Sequence, residues 1–121
     1  MQAEKIGKAK KGMKASTKDW AVLYCRTVNE VEEAIKDKRF IHSHIIRAVN
    51  RMISKKATTD MCLEIYCSGD NTSFWISVKL EDYEEVLGLI LKHLEEREEY
   101  EDCSEIVRLM EGCRALKEEL T

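Results

Sequence analysis

Proline is missing from all 121 residues of this chain. Its absence favours long helices and disfavours a loop-rich β fold, whose turns lean on proline's fixed φ. Long apolar runs are missing too. None approaches the roughly 20 residues a membrane-spanning helix needs, so no membrane partner is expected. The lysine-rich start has no apolar segment behind it, which argues against a secretory signal. The five cysteines are odd in number and show no tight pairing pattern. Without an export signal they read as reduced thiols in a cytoplasmic protein.

Motifs for chemistry are equally scarce. His42 and His44 are two apart, and on a helix such residues point to nearly opposite sides. Cys62 and Cys67 are five apart and face opposite ways on a strand, so they cannot share a zinc ion. Cys103 sits among Glu101, Asp102 and Glu105, which disfavours a thiolate nucleophile. Gly69-Asp70-Asn71 lacks the helix and second glycine of a phosphate cradle. The expectation is therefore no metal, no cofactor, no catalytic residue and no enzyme.

What is present is an organised pattern of alternation. Met61, Leu63, Ile65 and Cys67 recur with period two, as do Phe74, Ile76, Val78 and Leu80. Such alternation marks half-buried strands. Gly69, Asp70 and Asn71 lie between them and tolerate the positive φ angles of a reversal. Folding the ribbon there sets Cys67 against Phe74 and Ile65 against Ile76, with both greasy rows on one side. The other face carries Glu64, Tyr66, Trp75, Ser77 and Lys79, with Tyr66 and Trp75 opposite each other as a cross-strand pair. A lone hairpin is marginal in water, so helices must cover it.

Trp20-Ala-Val-Leu-Tyr-Cys25 reads as a third strand within residues 19–27, followed by a helix at 30–38 capped by Asn29 and Glu32. One continuous helix is the rival, since Trp20, Tyr24, Thr27, Val31 and Ile35 also recur at helical spacing. Residues 40–56 read as an amphipathic helix. After the hairpin, Tyr83, Val86, Leu87, Ile90, Leu91 and Leu94 mark another, with Asp82 and Glu85 as its cap. A second stripe, Tyr100, Cys103, Ile106, Val107, Met110, Cys113 and Leu116, is out of phase with the first. Two antiparallel helices, the second capped by Asp102 and Glu105, follow from that break. The predicted fold is α+β: a small antiparallel sheet (hairpin 61–67/74–80, third strand 19–27) packed on helices, ending in a helical hairpin. Residues 1–15 are expected as a mobile basic arm, and 16–121 as a single domain.

Within residues 100–116, Tyr100, Glu101, Cys103, Ser104 and Arg108 follow a pattern: aromatic, acidic, two small residues, then arginine before an apolar stripe. With the preceding helix, the segment 87–116 resembles a UVR-type helical hairpin, found in bacterial excision-nuclease subunits and protease adaptors. That resemblance implies a protein-docking element rather than a catalytic one. The charged, proline-free make-up also looks like that of small phage or mobile-element proteins.

Charge is divided unevenly along the chain. Residues 1–60 hold 14 Lys/Arg against 7 Asp/Glu, whereas residues 61–121 hold 6 against 16. Such asymmetry hints at a polar interaction surface or nucleic-acid contact, and equally at two halves that neutralise each other. Arg47, Arg51 and Lys55 lie four apart on the 40–56 helix, with Lys56 beyond and Lys38 and Arg39 before. They are the candidate nucleic-acid surface, or an ordinary solvated face. Tyr66, Trp75, Glu84, Glu95, Glu98 and Glu101 are the candidate partner-binding residues. The leading expectation is a small regulatory or inhibitory protein that docks on another protein. A nucleic-acid-binding accessory protein is the alternative. Either could be a homodimer.

Overall fold

The computed structural model describes residues 20–121. The basic arm expected at 1–15 lies outside the described residues. In chain order the elements are β1 (Ala21–Cys25), α1 (Val28–Lys36), α2 (Lys38–Lys55), β2 (Thr59–Cys67), β3 (Thr72–Lys79), a 3-10 turn (Leu80–Asp82), α3 (Tyr83–Glu96) and α4 (Tyr100–Leu120). The α+β class and the third strand are as expected. Among the described residues the strands form one sheet in the order β1-β2-β3.

The sheet is mixed, not antiparallel throughout. β1 runs parallel to β2, with Leu23 opposite Ile65 and Cys25 opposite Cys67. Alternation reveals a strand but not its direction. Here α1 and α2 together supply the crossover that parallel neighbours require. Trp20–Cys25 is therefore not helical, and Val22, Leu23 and Cys25 are buried.

The hairpin turn is tighter than the pattern suggested. β3 starts at Thr72, which leaves Ser68–Asn71 as the turn. The reversal is made by Asn71, at φ 53°, and not by Gly69, since no described glycine has a positive φ. Gly69 serves a different purpose. Its N–H donates to the Arg26 carbonyl at 2.8 Å. A Cβ on Gly69 would collide with that oxygen. On the predicted dry face Leu63, Ile65, Cys67, Val78 and Leu80 are buried, but Phe74 is 43% exposed. Cover fades along β3 toward the turn, because β3 is an outer strand among the described residues.

The helix starts also moved. Thr27, not Asn29, caps α1: its Oγ1 accepts from the Glu30 N–H at 3.2 Å, and Glu30 Oε1 accepts from the Arg26 N–H at 2.7 Å. Thr27-x-x-Glu30 is itself a capping-box spacing. It lies two residues before the pair expected, and so α1 begins at Val28. Asp37 Oδ1 accepts from the Phe40 N–H at 3.3 Å and opens α2 two residues early. Asp82 does precede α3, but its side chain makes no capping bond. Asp102 lies inside α4, in its first turn beside Glu101. There both carboxylates face the positive end of the helix dipole.

Two helices end by the same device. Glu98 has φ 58° and Lys56 has φ 55°. The Glu99 N–H donates to the Leu94 carbonyl at 3.0 Å, and the Ala57 N–H to the Met52 carbonyl at 2.9 Å. Both are Schellman-type closures with a charged residue at the left-handed position, where glycine is usual.

The backbone forms two compact units: residues 20–44 with Met61–Ser77, and Ile45–Asp60 with Val78–Thr121. In the first, Val22, Leu23, Cys25, Val31, Leu63 and Ile65 are buried. In the second, Tyr83, Leu87 and Ile90 of α3 and Cys103, Ile106, Leu109, Cys113 and Leu116 of α4 are buried. The α4 stripe thus runs through Leu109, while Tyr100 and Val107, expected within it, are exposed. Its 3-3-4-3 spacing describes a narrow face.

Two glycines test this account in opposite directions. Gly69→Ala should cost about 1–3 kcal/mol, since the obstacle is backbone. Gly88→Ala, in α3 with nothing within 4 Å of its Cβ position, should stabilise by about 0.5–1 kcal/mol. Denaturant midpoints at constant slope measure both.

Candidate interaction surfaces

The spacing of Arg47, Arg51 and Lys55 does place them along one side of α2. Their surroundings differ, however. Arg51 donates from Nε and Nη2 to Asp60 Oδ1 at 3.1 and 3.0 Å. The two side chains are only 20% and 11% exposed, so this pair is a structural clamp between α2 and the start of β2. Lys56 leaves the stripe altogether, because it occupies the left-handed corner that closes α2. Its Nζ donates to Glu119 Oε2 at 2.7 Å. That hydrogen bond, and then the Glu119 charge, raise the Lys56 pKa. Lys38 and Arg39 sit in the first turn of α2, more than two turns before Arg47. Arg47 is exposed. Arg51→Ala should therefore cost about 1–3 kcal/mol, because it strands a part-buried carboxylate. Arg47→Ala should change stability by less than about 0.5 kcal/mol. Urea unfolding of the two variants makes the comparison.

Tyr66 is engaged within the sheet, whereas Trp75 is exposed. Tyr66 packs edge-on against Tyr24, its register neighbour on β1, with ring centroids 6.0 Å apart. Its hydroxyl donates to Asn71 Oδ1 at 2.7 Å, which steadies the turn residue that carries the positive φ. The parallel neighbour that sequence reasoning did not orient is what claims Tyr66. On the same face, Trp20 Nε1 donates to Glu64 Oε1 at 3.2 Å. Trp75 remains 58% exposed on β3.

The predicted acidic residues separate into two places. Glu84 lies in the first turn of α3. Eleven residues on, about 16 Å along the helix, Glu95 begins the run of acidic residues that spans the α3–α4 corner. Glu98 is the left-handed residue of that corner, and Glu101 and Asp102 open α4. Arg97 Nε donates to Glu99 Oε2 at 2.6 Å and so is already engaged. Tyr100, which lies between Glu99 and Glu101 in the chain, is 64% exposed. No group of three or more side chains among the described residues could hold a metal ion. The corner is thus an acidic surface with an exposed ring, that of Tyr100, which the periodicity of α4 places in its apolar stripe.

The thiols of Cys103 and Cys113 are held in their protonated form. Burial pushes the Cys113 thiol up to about 11. Burial, then the carboxylates of Glu95, Asp102 and Glu99, raise Cys103. Burial, followed by the charge of Glu84, also raises the Tyr83 phenol. Above pH 9 the unfolded chain gives up the protons of Cys103 and Cys113 while the folded chain keeps them. The unfolded state then binds fewer protons, so stability falls as pH rises. The melting temperature should decline between pH 9.0 and about 11. In Cys113→Ala the decline over that window should be shallower.

In the second unit an open cleft of about 460 Å³ is lined by Thr58, Thr59, Lys79, Glu81, Lys117 and Thr121, among others. It contains no thiol and no imidazole. No helix among the described residues is long and apolar enough to cross a membrane. Against family models, curated proteins and solved structures the chain shows no match. The likeness of residues 100–116 to a UVR-type hairpin therefore rests on those residues alone.

Proposed function

We propose that the chain is a non-enzymatic regulatory or inhibitory interaction protein that docks on a partner protein with a basic surface. The observation that carries this reading is the α3–α4 corner, where Tyr100 and its chain neighbours Glu95, Glu98, Glu101 and Asp102 are all exposed. A ring with two rotatable bonds makes an anchor of low entropic cost, and tyrosine is enriched at binding hot spots. The surrounding carboxylates steer a cationic partner and fix its orientation more than they add raw affinity. The cationic side of α2 supports the same choice. Arg51 and Lys56 are held by Asp60 and Glu119, which takes two of the six candidate cations away from phosphate contacts.

The test is binding by the immobilised full chain at low and high salt, set beside Tyr100→Ala and a Glu95→Gln/Glu98→Gln/Glu101→Gln variant. Proteins retained at low salt should be released at high salt and lost from both variants. Duplex and single-stranded nucleic acid should not bind. Unchanged capture by the variants would remove the corner from consideration. Nucleic-acid binding whose salt slope drops in Arg47→Ala would replace this reading with the nucleic-acid one.

A further inference from the structure

Among the described residues β3 has a neighbour on one side only, β2. Outer strands are normally guarded by charge, proline or a bulge against pairing with another chain. Thr72–Val78 carries no charged residue and no proline. It instead shows Phe74 and Trp75, 43% and 58% exposed, on its opposite faces.

The backbone of β3 fixes which residues point outward. The Leu80 N–H donates to the Thr58 carbonyl at 2.8 Å. In an antiparallel pair the main-chain groups of successive residues alternate between the two sides. Even-numbered residues of β3 thus address β2, and the N–H and C=O groups of Ser73, Trp75 and Ser77 turn away from it. The sequence about that outward set, Ser73-Phe74-Trp75-Ile76-Ser77, reads nearly the same in both directions from Trp75.

We propose that β3 is the pairing edge for a second copy of this chain, joined antiparallel about a two-fold axis through Trp75. A two-fold contact must be self-complementary, and this segment satisfies that condition along its length. Trp75 exchanges both main-chain hydrogen bonds with Trp75 of the partner subunit. Ser73 does the same with Ser77 of the partner subunit. On one face Phe74 covers Ile76 of the partner subunit. At each end Lys79 meets Asn71 of the partner subunit and lies beside Asp70 of the partner subunit, so opposite charges adjoin. This inference is independent of the acidic corner, and neither stands or falls with the other.

Sedimentation of the full chain over a wide concentration range should show a reversible dimer. Trp75→Lys should be monomeric with an unchanged circular dichroism spectrum and melting temperature. If that variant unfolds, Ser73→Lys takes its place. The register is read by crosslinking. Residues in a hydrogen-bonded pair have Cα atoms about 5.5 Å apart, within disulfide reach. Trp75→Cys should therefore form a covalent dimer on mild oxidation. Ser73→Cys alone should not, whereas a mixture of Ser73→Cys and Ser77→Cys should crosslink. A chain that stays monomeric throughout overturns the proposal and leaves the edge to a foreign strand. A dimer that survives Trp75→Lys, or Ser73→Cys crosslinking to itself, overturns it as well.

Discussion

The close approach of Gly69 to the end of β1 is the contact on which the first unit depends. The Ser68 and Gly69 N–H groups donate to the Cys25 and Arg26 carbonyls at 2.9 and 2.8 Å. They carry the β1–β2 ladder past the last strand residue and into the hairpin turn. The Arg26 N–H is taken by Glu30, and Thr27 caps α1. One dipeptide therefore ends a strand, starts a helix and holds a turn, with its main-chain groups satisfied by the hairpin turn on one side and α1 on the other. An unpaired main-chain group at such a crossing would cost about as much as a lost hydrogen bond. The absence of a side chain at Gly69 is what lets the segments come so near.

Surface charge does two separate jobs in this molecule. Part of it is spent on architecture: Arg51 with Asp60 ties α2 to β2, and Lys56 with Glu119 ties the end of α2 to α4. The exposed second pair adds little stability in water, but both pairs take cations out of circulation. The remaining negative charge concentrates where α3 turns into α4. The uneven charge seen along the sequence is thus partly compensated within the second unit and partly displayed.

Much of this was legible in the residues, for identifiable reasons. Period-two rows at Met61–Cys67 and Phe74–Leu80 gave the hairpin because burial of one face demands that alternation. The two out-of-phase stripes gave the helical pair for the analogous reason. Direction was not legible: nothing in Trp20–Cys25 says whether the strand runs with or against β2. Left-handed corners were not legible either, because Lys56 and Glu98 stand where glycine would have announced them. Thr27 could have been found, as Thr27-x-x-Glu30 has the capping spacing, but Asn29 and Glu32 offered the same pattern two residues later. Of the candidate site residues, Glu95, Glu98 and Glu101 fall at the α3–α4 corner and Glu84 lies at the other end of α3. The clamp between Arg51 and Asp60 joins residues nine apart, a separation with no periodic signature.

All five cysteines are buried and unbridged. The folded molecule hides every one of its thiols, so the redox lifetime of those thiols is set by how often it opens. Each opening in an oxidant would release several thiols at once, with scrambled bridges as the product and no return path. In such surroundings the rate of unfolding, rather than the equilibrium free energy, decides how long the protein survives.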